Sequence, residues 1–454
     1  MASSSSCADG GYASGLAADG LPVVEPTRAR VEEMLAGADP DLVLGDAPPA
    51  TRPVALWQVA SCAVLAGAEP RQFSAIVAAV RAVLAPEFNA MGVGATTMGA
   101  TPLILVTGGA QAAAGVSAGA GCLGSSNRAN LAVGRAVKLV LHHVGGATLG
   151  GTESTTMGSP GKVAACVGER DDIIKDGWGP FTDGPAVTVC PLTGTSQVVD
   201  FDLQDPQEVM RQVALQLTHC CWSARFPLCS SATVLVSPEH YATLKKAYAT
   251  RDAFRDALFE ETTRLAIPFL GTLVRMKTGS SLLAAAAPPL LSVLRWVGVA
   301  PITKFETRES IKVIVCGGDA GKFTTVCAGF GVGKPGMATY RLSFPVTKPV
   351  VALPRGATST RLPALVDPRT AAAAAAKPTL AKRTGTIRGP VALLDISKGG
   401  GKPFLDGVEA FLRRSNAGVE IKRFAKPTFS RVAPPALVDE ICAACAHVVI
   451  GLAD

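Results

Sequence analysis

Residues 389–414 read GPVALLDISKGGGKPFLDGVEAFLRR, and their pattern sets the fold of the chain's C-terminal part. Val391 to Asp395 is a short apolar run opened by Pro390 and closed by polar residues, the signature of a buried strand. Ser397 to Lys402 is a Gly/Lys turn, and Phe404 to Arg413 has helical spacing. Working outward, Glu420 to Phe424 predicts a second strand and Pro435 to Ala446 a second helix. Val448-Val449-Ile450 predicts a third strand running through Gly451 to Asp454. The order β-α-β-α-β over residues 388–454 is half of a doubly wound sheet. Such sheets bind ligands beyond the carboxyl ends of their strands.

Upstream, residues 351–387 carry prolines, basic residues and the alanine run Ala371 to Ala376, and read as a linker. Residues 46–350 read as a larger α/β domain. Helices are predicted at Trp57 to Leu65, from Pro70 to Val83, at Arg128 to His143 with Asn127 as cap, and at Gln207 to His219. Strands are predicted at Leu103 to Val106, Ala164 to Val167, Val187 to Cys190, Thr233 to Val236 and Lys312 to Cys316. Leu282 to Leu294, broken by Pro288-Pro289, reads as a buried helix pair or hairpin. Residues 1–45 read as a flexible tail with one short helix, Glu25 to Leu35. The predicted fold class is therefore α/β: a large domain followed by a small Rossmann-like one that is incomplete at its C-terminus.

Composition excludes several classes. Of 454 residues, 48% are apolar and only 17% charged, which rules out general disorder. Twelve cysteines are too few for a disulfide scaffold, and with no convincing signal peptide a reducing, intracellular and cytoplasmic setting is expected. Organelle import has weak support, because the first residues are Ser/Ala-rich but contain no Arg or Lys before Arg28. No membrane span is expected: the uncharged stretch from Phe88 to Asn127 is glycine-rich and holds only one dense apolar run. The net charge of +7 is uneven, residues 341–431 carrying 17 Lys/Arg against 5 Asp/Glu. These charges are scattered and no run of five or six appears, so nucleic-acid binding is not expected.

Four polar constellations stand out. Gly124 to Asn130, followed by Gly134-Arg135, is a glycine-rich loop entering a helix, which suits an anion. Asn127, Arg128, Asn130 and Arg135 are its candidate ligand-binding residues, against the plainer reading of a helix cap with solvated arginines. Thr155 to Lys162, with Pro160, Gly161 and Lys162, resembles a phosphate loop in composition but lacks the Walker spacing. A plain turn competes with it. His219-Cys220-Cys221 with Cys229 offers zinc-ligand types, but adjacent cysteines rarely face one ion, and no metal is expected. Cys442-Ala-Ala-Cys445 has redox spacing, yet lies near a helix C-terminus, where buried structural cysteines are the better reading. His240 in Ser237-Pro238-Glu239-His240 reads as a solvated helix start. The residues identify no cofactor.

Leu393 to Lys398, Phe404-Leu405, Lys426-Pro427 and Val448 to Asp454 resemble the UGSC-type (seleno)protein family. The larger domain is similar to the N-terminal part of such proteins at Asn127 to Asn130, Gly134 to Val137, Gly145-Gly146, Pro160 to Lys162 and Ser237 to His240. In that family the last strand leads into selenocysteine-Gly-Ser-Cys or its cysteine version. The resemblance implies a reactive selenocysteine or cysteine immediately after Asp454, missing here through truncation at a UGA codon, so that the 454-residue chain would be inactive. It implies a thiol- or selenol-dependent oxidoreductase acting on a small, unidentified substrate, an anion being favoured, with a thiol reductant as partner. Asp395, Ser397 and Lys398 are the candidate ligand-binding residues of the small domain. A hydrolase or lyase using the same nucleophile, and a non-catalytic ligand-binding module, are the alternatives.

Overall fold

The computed structural model of the chain describes residues 19–451, except 125, 150–151, 200–203, 224–226, 279, 297–302, 332–342, 357–361, 363–367, 369–386, 397–400 and 427–432. The chain forms two compact units, Met1–Ala373 and Ala374–Asp454.

In the first unit, α1 (Arg28–Leu35) starts at Thr27, whose hydroxyl accepts from the Arg30 N–H. Strands β1 (Val43–Ala47) and β2 (Arg52–Ala55) form an antiparallel hairpin that leads into α2 (Leu56–Leu65), a helix buried all round. A short 3₁₀ turn at Pro70–Gln72 opens α3 (Phe73–Val83), and two short helices follow, α4 (Ala90–Gly94) and α5 (Ala110–Ala114). The short helix expected at Glu25 to Leu35 is α1, and its Val31, Met34 and Leu35 are buried with α2 and α3, so this end of the expected tail is packed. Residues 1–18 lie outside the described residues.

Two four-stranded mixed sheets form the body of this unit. In the first, β3 (Thr101–Thr107) pairs parallel with β4 (Cys166–Gly168) and antiparallel with β5 (Ala186–Leu192). In the second, β7 (Ala232–Val236) pairs parallel with β8 (Ile311–Val315) and antiparallel with β9 (Phe323–Ala328). The edge strands are exchanged. β6 (Gly194–Val199) follows β5 in sequence but pairs with β9, and β10 (Val346–Pro349) follows β9 but pairs with β5. The two halves therefore repeat one β-α-β-β plan and each lends the other a strand. Simple alternation of strands and helices does not describe this unit.

Residue alternation along the strands builds four layers. Leu103 and Leu105 point to one face of β3 and join Leu235, Ile314, Cys316 and Cys327 of the second sheet in a core between the sheets. Ile104 and Val106 point the other way, toward α2, α3 and α6 (Arg128–His143). Val234 and Val236 of β7 pack with α7 (Pro206–Cys220), α8 (Pro238–Leu244) and the start of α9 (Arg251–Thr278). Gly134 lets α6 lie tight against the chain entering β4, since a Cβ there would meet the Ala165 nitrogen at 2.8 Å.

Two expectations change. Leu282 to Leu294, expected as a buried helix pair or hairpin broken at Pro288-Pro289, is part of one helix, α10 (Ser281–Trp296), that runs through both prolines and packs against α9; Leu282 is 80% exposed, and Leu283, Leu290 and Val293 are exposed too. The expected linker from residue 351 begins inside the first unit. Asp39 N–H donates to the Pro354 carbonyl, Gly356 N–H to Gly37, and Gln58 Nε2 to Pro368.

The second unit is a parallel sheet in the order β12-β11-β13, from β11 (Val391–Asp395), β12 (Ile421–Ala425) and β13 (His447–Gly451). α11 (Gly401–Ser415) covers Val391 and Leu393 through Leu405, and α12 (Pro435–Ala444) covers Ala392 and Leu394 through Leu437 and Ile441. β11 is central and β13 is an edge strand.

Candidate functional site

The helix α6 begins where the glycine-rich loop was expected to hold an anion. Asn127 occupies the cap position, but its side chain makes no cap bond. Its amide nitrogen donates instead to the Gly121 and Ala120 carbonyls, at 2.7 and 3.2 Å, and closes the loop before the helix. Asn130 is buried and fully used. Its oxygen accepts from Ser117 N–H at 2.7 Å, and its nitrogen donates to the carbonyls of Ser117, Cys122 and Cys166. Arg135 forks onto Asp19 at 2.6 and 3.0 Å and onto the Pro22 and Leu21 carbonyls. Arg128 is exposed and donates to Gly67. Of the four, Asn130 and Arg135 hold the fold, while Arg128 still offers its charge to solvent.

The second loop joins the far end of the same helix. Lys162 Nζ lies 2.9 Å from Glu153 and donates to the Ala100 carbonyl. Lys138 on α6 reaches the other Glu153 oxygen at 3.7 Å. Burial, with Lys162 alongside, holds the Lys138 ammonium below its usual range. Burial, then Lys138, also pushes the His142 imidazole down. Pro160 and Gly161 form a 3₁₀ turn, and Gly161 sits against Leu192 and Thr101. The loop is thus a turn fastened by an ion pair.

The carboxyl ends of β3, β4 and β8 converge on groups that sequence reasoning passed over. Glu169 follows β4 and is buried against Arg251 at 2.7 Å, and it accepts the Phe181 N–H at 2.7 Å. Arg251 also donates to the Val313 and Gly179 carbonyls, tying one half of the unit to the other. Burial raises the Glu169 carboxyl above its usual range, and Arg251 only partly offsets this. Arg170 bridges Asp172 and Asp319 at 2.8 and 2.9 Å. Beside them is a cavity of about 300 Å³ lined by Gly108, Asp171, Ile174, Pro180, Thr182 and Asp183. Asp171 accepts from the Gly109 N–H and the Gln111 amide. Its carboxylate walls suit a ligand that brings hydrogen-bond donors. The sequence signal was present in Gly168-Glu169-Arg170-Asp171-Asp172, a charged run directly after a strand.

Other readings resolve plainly. His240 is fully buried, not solvated, and its Nδ1 lies 2.8 Å from Thr324 Oγ1 because α8 packs back over β9. Among the described residues no three His, Cys, Asp or Glu side chains gather to hold a metal, and no helix is long and apolar enough to cross a membrane. Cys442 is exposed, against the expectation that both CxxC cysteines are buried, and Cys445 packs under α12. The reason is that α12 turns Ile441 inward and Cys442 outward.

In the second unit, Asp395 ends β11 in register with Gly451 at the end of β13, and its carbonyl accepts from Lys426 N–H at 2.8 Å. Gly451 is required there, since a Cβ would meet Leu405 at 2.7 Å. Ser397 and Lys398 lie outside the described residues. Residues 364–454 match the UGSC family, so the second unit is a UGSC-type domain. No curated protein and no solved structure matches the chain.

Proposed function

We propose that this UGSC-type domain is a thiol- or selenol-dependent oxidoreductase whose reactive selenocysteine or cysteine follows Asp454 directly. The observation that carries the reading is the parallel sheet with adjacent carboxyl ends at Asp395 and Gly451. In doubly wound sheets that edge is where ligands meet the chain. A chalcogen at a strand end that enters a helix is ionised by the helix's positive pole. Its attack on a disulfide or peroxide bond leaves a mixed sulfur or selenium species, which the cysteine of Gly-Ser-Cys resolves.

The direct test is the coding sequence after the Asp454 codon. A UGA or cysteine codon followed by a frame for Gly-Ser-Cys is expected, and any other continuation refutes the reading. The catalytic test compares full-length protein carrying cysteine at that position with a serine version. Peroxide or disulfide turnover should fall by at least about a hundredfold in the serine version. An acyl or alkyl adduct on the cysteine, in place of a mixed disulfide, would assign a hydrolase or lyase instead.

A further inference from the structure

Three cysteines gather at the end of α7 in the first unit. α7 ends at Cys220, and the chain then runs through Cys221, Trp222 and Ser223. The Cys220 and Cys221 sulfurs are 3.8 Å apart. Cys220 is partly exposed, whereas Cys221 and Cys229 are buried beside it. The Cys229 thiol donates to the Cys221 carbonyl at 3.3 Å.

A buried cation anchors this group. Lys304, 1% exposed, donates to the Cys221 and Ser223 carbonyls at 2.7 and 2.6 Å and to the Cys229 sulfur. The backbone around it is held in an uncommon conformation. Trp222, Ser223 and Leu228 have φ of 59°, 61° and 60°, left-handed values that bulky side chains seldom take. The hydrogen bond from Cys221 and the nearby Lys304 charge hold the Cys220 thiol below its usual range, despite its burial and its place at a helix C-terminus. The hydrogen bond to Cys220 and burial push Cys221 up, and burial pushes Cys229 up to about 11. Of the three, Cys220 is the thiol that solvent reaches, with the Cys221 sulfur in contact behind it.

We propose that Cys220 and Cys221 form a dithiol–disulfide exchange centre whose substrate is the disulfide of a small thiol. The Cys220 thiolate attacks one sulfur of the disulfide. A Cys220–sulfur bond forms, the substrate's S–S bond breaks, and one thiolate leaves. Cys221 then gives its proton to the thiolate released first, attacks the Cys220 sulfur and expels the second thiolate, which takes a proton from water. Two protein thiols are oxidised to one disulfide, and one small disulfide is reduced to two thiols. A ring closed between adjacent residues is strained, so added thiol opens it readily.

The test uses the 454-residue chain, so it does not depend on any residue after Asp454. The chain is treated with glutathione disulfide, alkylated and cut with trypsin. Peptide 212–225 contains Cys220 and Cys221 and no other cysteine. The expected product is that peptide lighter by two hydrogens and closed to alkylation, restored by a reducing thiol. Without oxidant, Cys220 should alkylate at least about tenfold faster than buried Cys190. Cys221→Ser should stop at the glutathione adduct on Cys220, with circular dichroism checking the fold. Peptide 212–225 remaining fully alkylatable, or a Cys220–Cys229 cross-link, would overturn the proposal in the unmodified chain, whether or not the variant folds.

Discussion

At the scale of the residue, the same side-chain types serve ligand binding and internal bonding, and only geometry separates them. Asn130 was a reasonable anion ligand by type and place. Its four hydrogen bonds instead fasten the loop 117–122 to the strand entry at Cys166. Arg135 likewise meets Asp19, which lies in a segment that composition marks as tail. Burial tends to raise the Asp19 carboxyl, but the Arg135 guanidinium and the Leu21 N–H outweigh it, and Asp19 sits below its usual range. The sign follows: a lowered folded value contributes stability above the unfolded value and loses it as pH falls. Solvent screening at this half-open pair holds the gain to about 1 kcal/mol at neutral pH. Asp19→Asn should therefore melt lower than wild type at pH 7, with the difference closing as pH falls below the ordinary carboxylate range. Urea titrations across that range check it, and a difference that persists in acid would rule the pair out as the cause.

At the scale of the element, apolar runs announced themselves but not their neighbours. α2, α3, α6 and α7 lie within a residue or three of their predicted spans, because helical periodicity and Pro or Gly punctuation are local. Burial is not local. The apolar α10 reads as core, yet Leu282, Leu283 and Leu290 are exposed. Val448 and Ile450 of β13 are apolar too, and at the edge position they are 49% and 47% exposed. An apolar edge strand invites pairing with another chain. Replacing both with lysine should reduce self-association of the 454-residue chain while β11 and β12 keep their pairing. Sedimentation velocity at matched concentration reads this. Equal association in the two proteins would assign it to another surface, α10 being the next candidate.

At the scale of the whole molecule, the chain has separate cores. Three apolar clusters serve the first unit, and two smaller ones lie on either face of the β11 sheet. Cooperative unfolding spans what shares a core, so calorimetry should resolve two transitions. The smaller should carry about 50 kcal/mol near 60 °C, as suits the length of Ala374–Asp454. A single transition with equal calorimetric and van't Hoff enthalpies would contradict this. The exchange of β6 and β10 makes the first unit indivisible, since neither half can complete its sheet alone.

The amino-acid sequence by itself determined the helices, most strands, the β-α-β-α-β plan of the C-terminal unit and its resemblance to the UGSC family. Those features rest on periodicity, turn residues and short motifs, all encoded within a few neighbours. Only the tertiary structure decided the exchanged strands, the Glu169–Arg251 tie, the spent hydrogen bonds of Asn130 and the meeting of Cys220 and Cys221 with Lys304. The physical reason is distance along the chain. Lys304 is 83 residues from Cys221, and Arg251 is 82 from Glu169, so their contacts exist only once both sheets have packed.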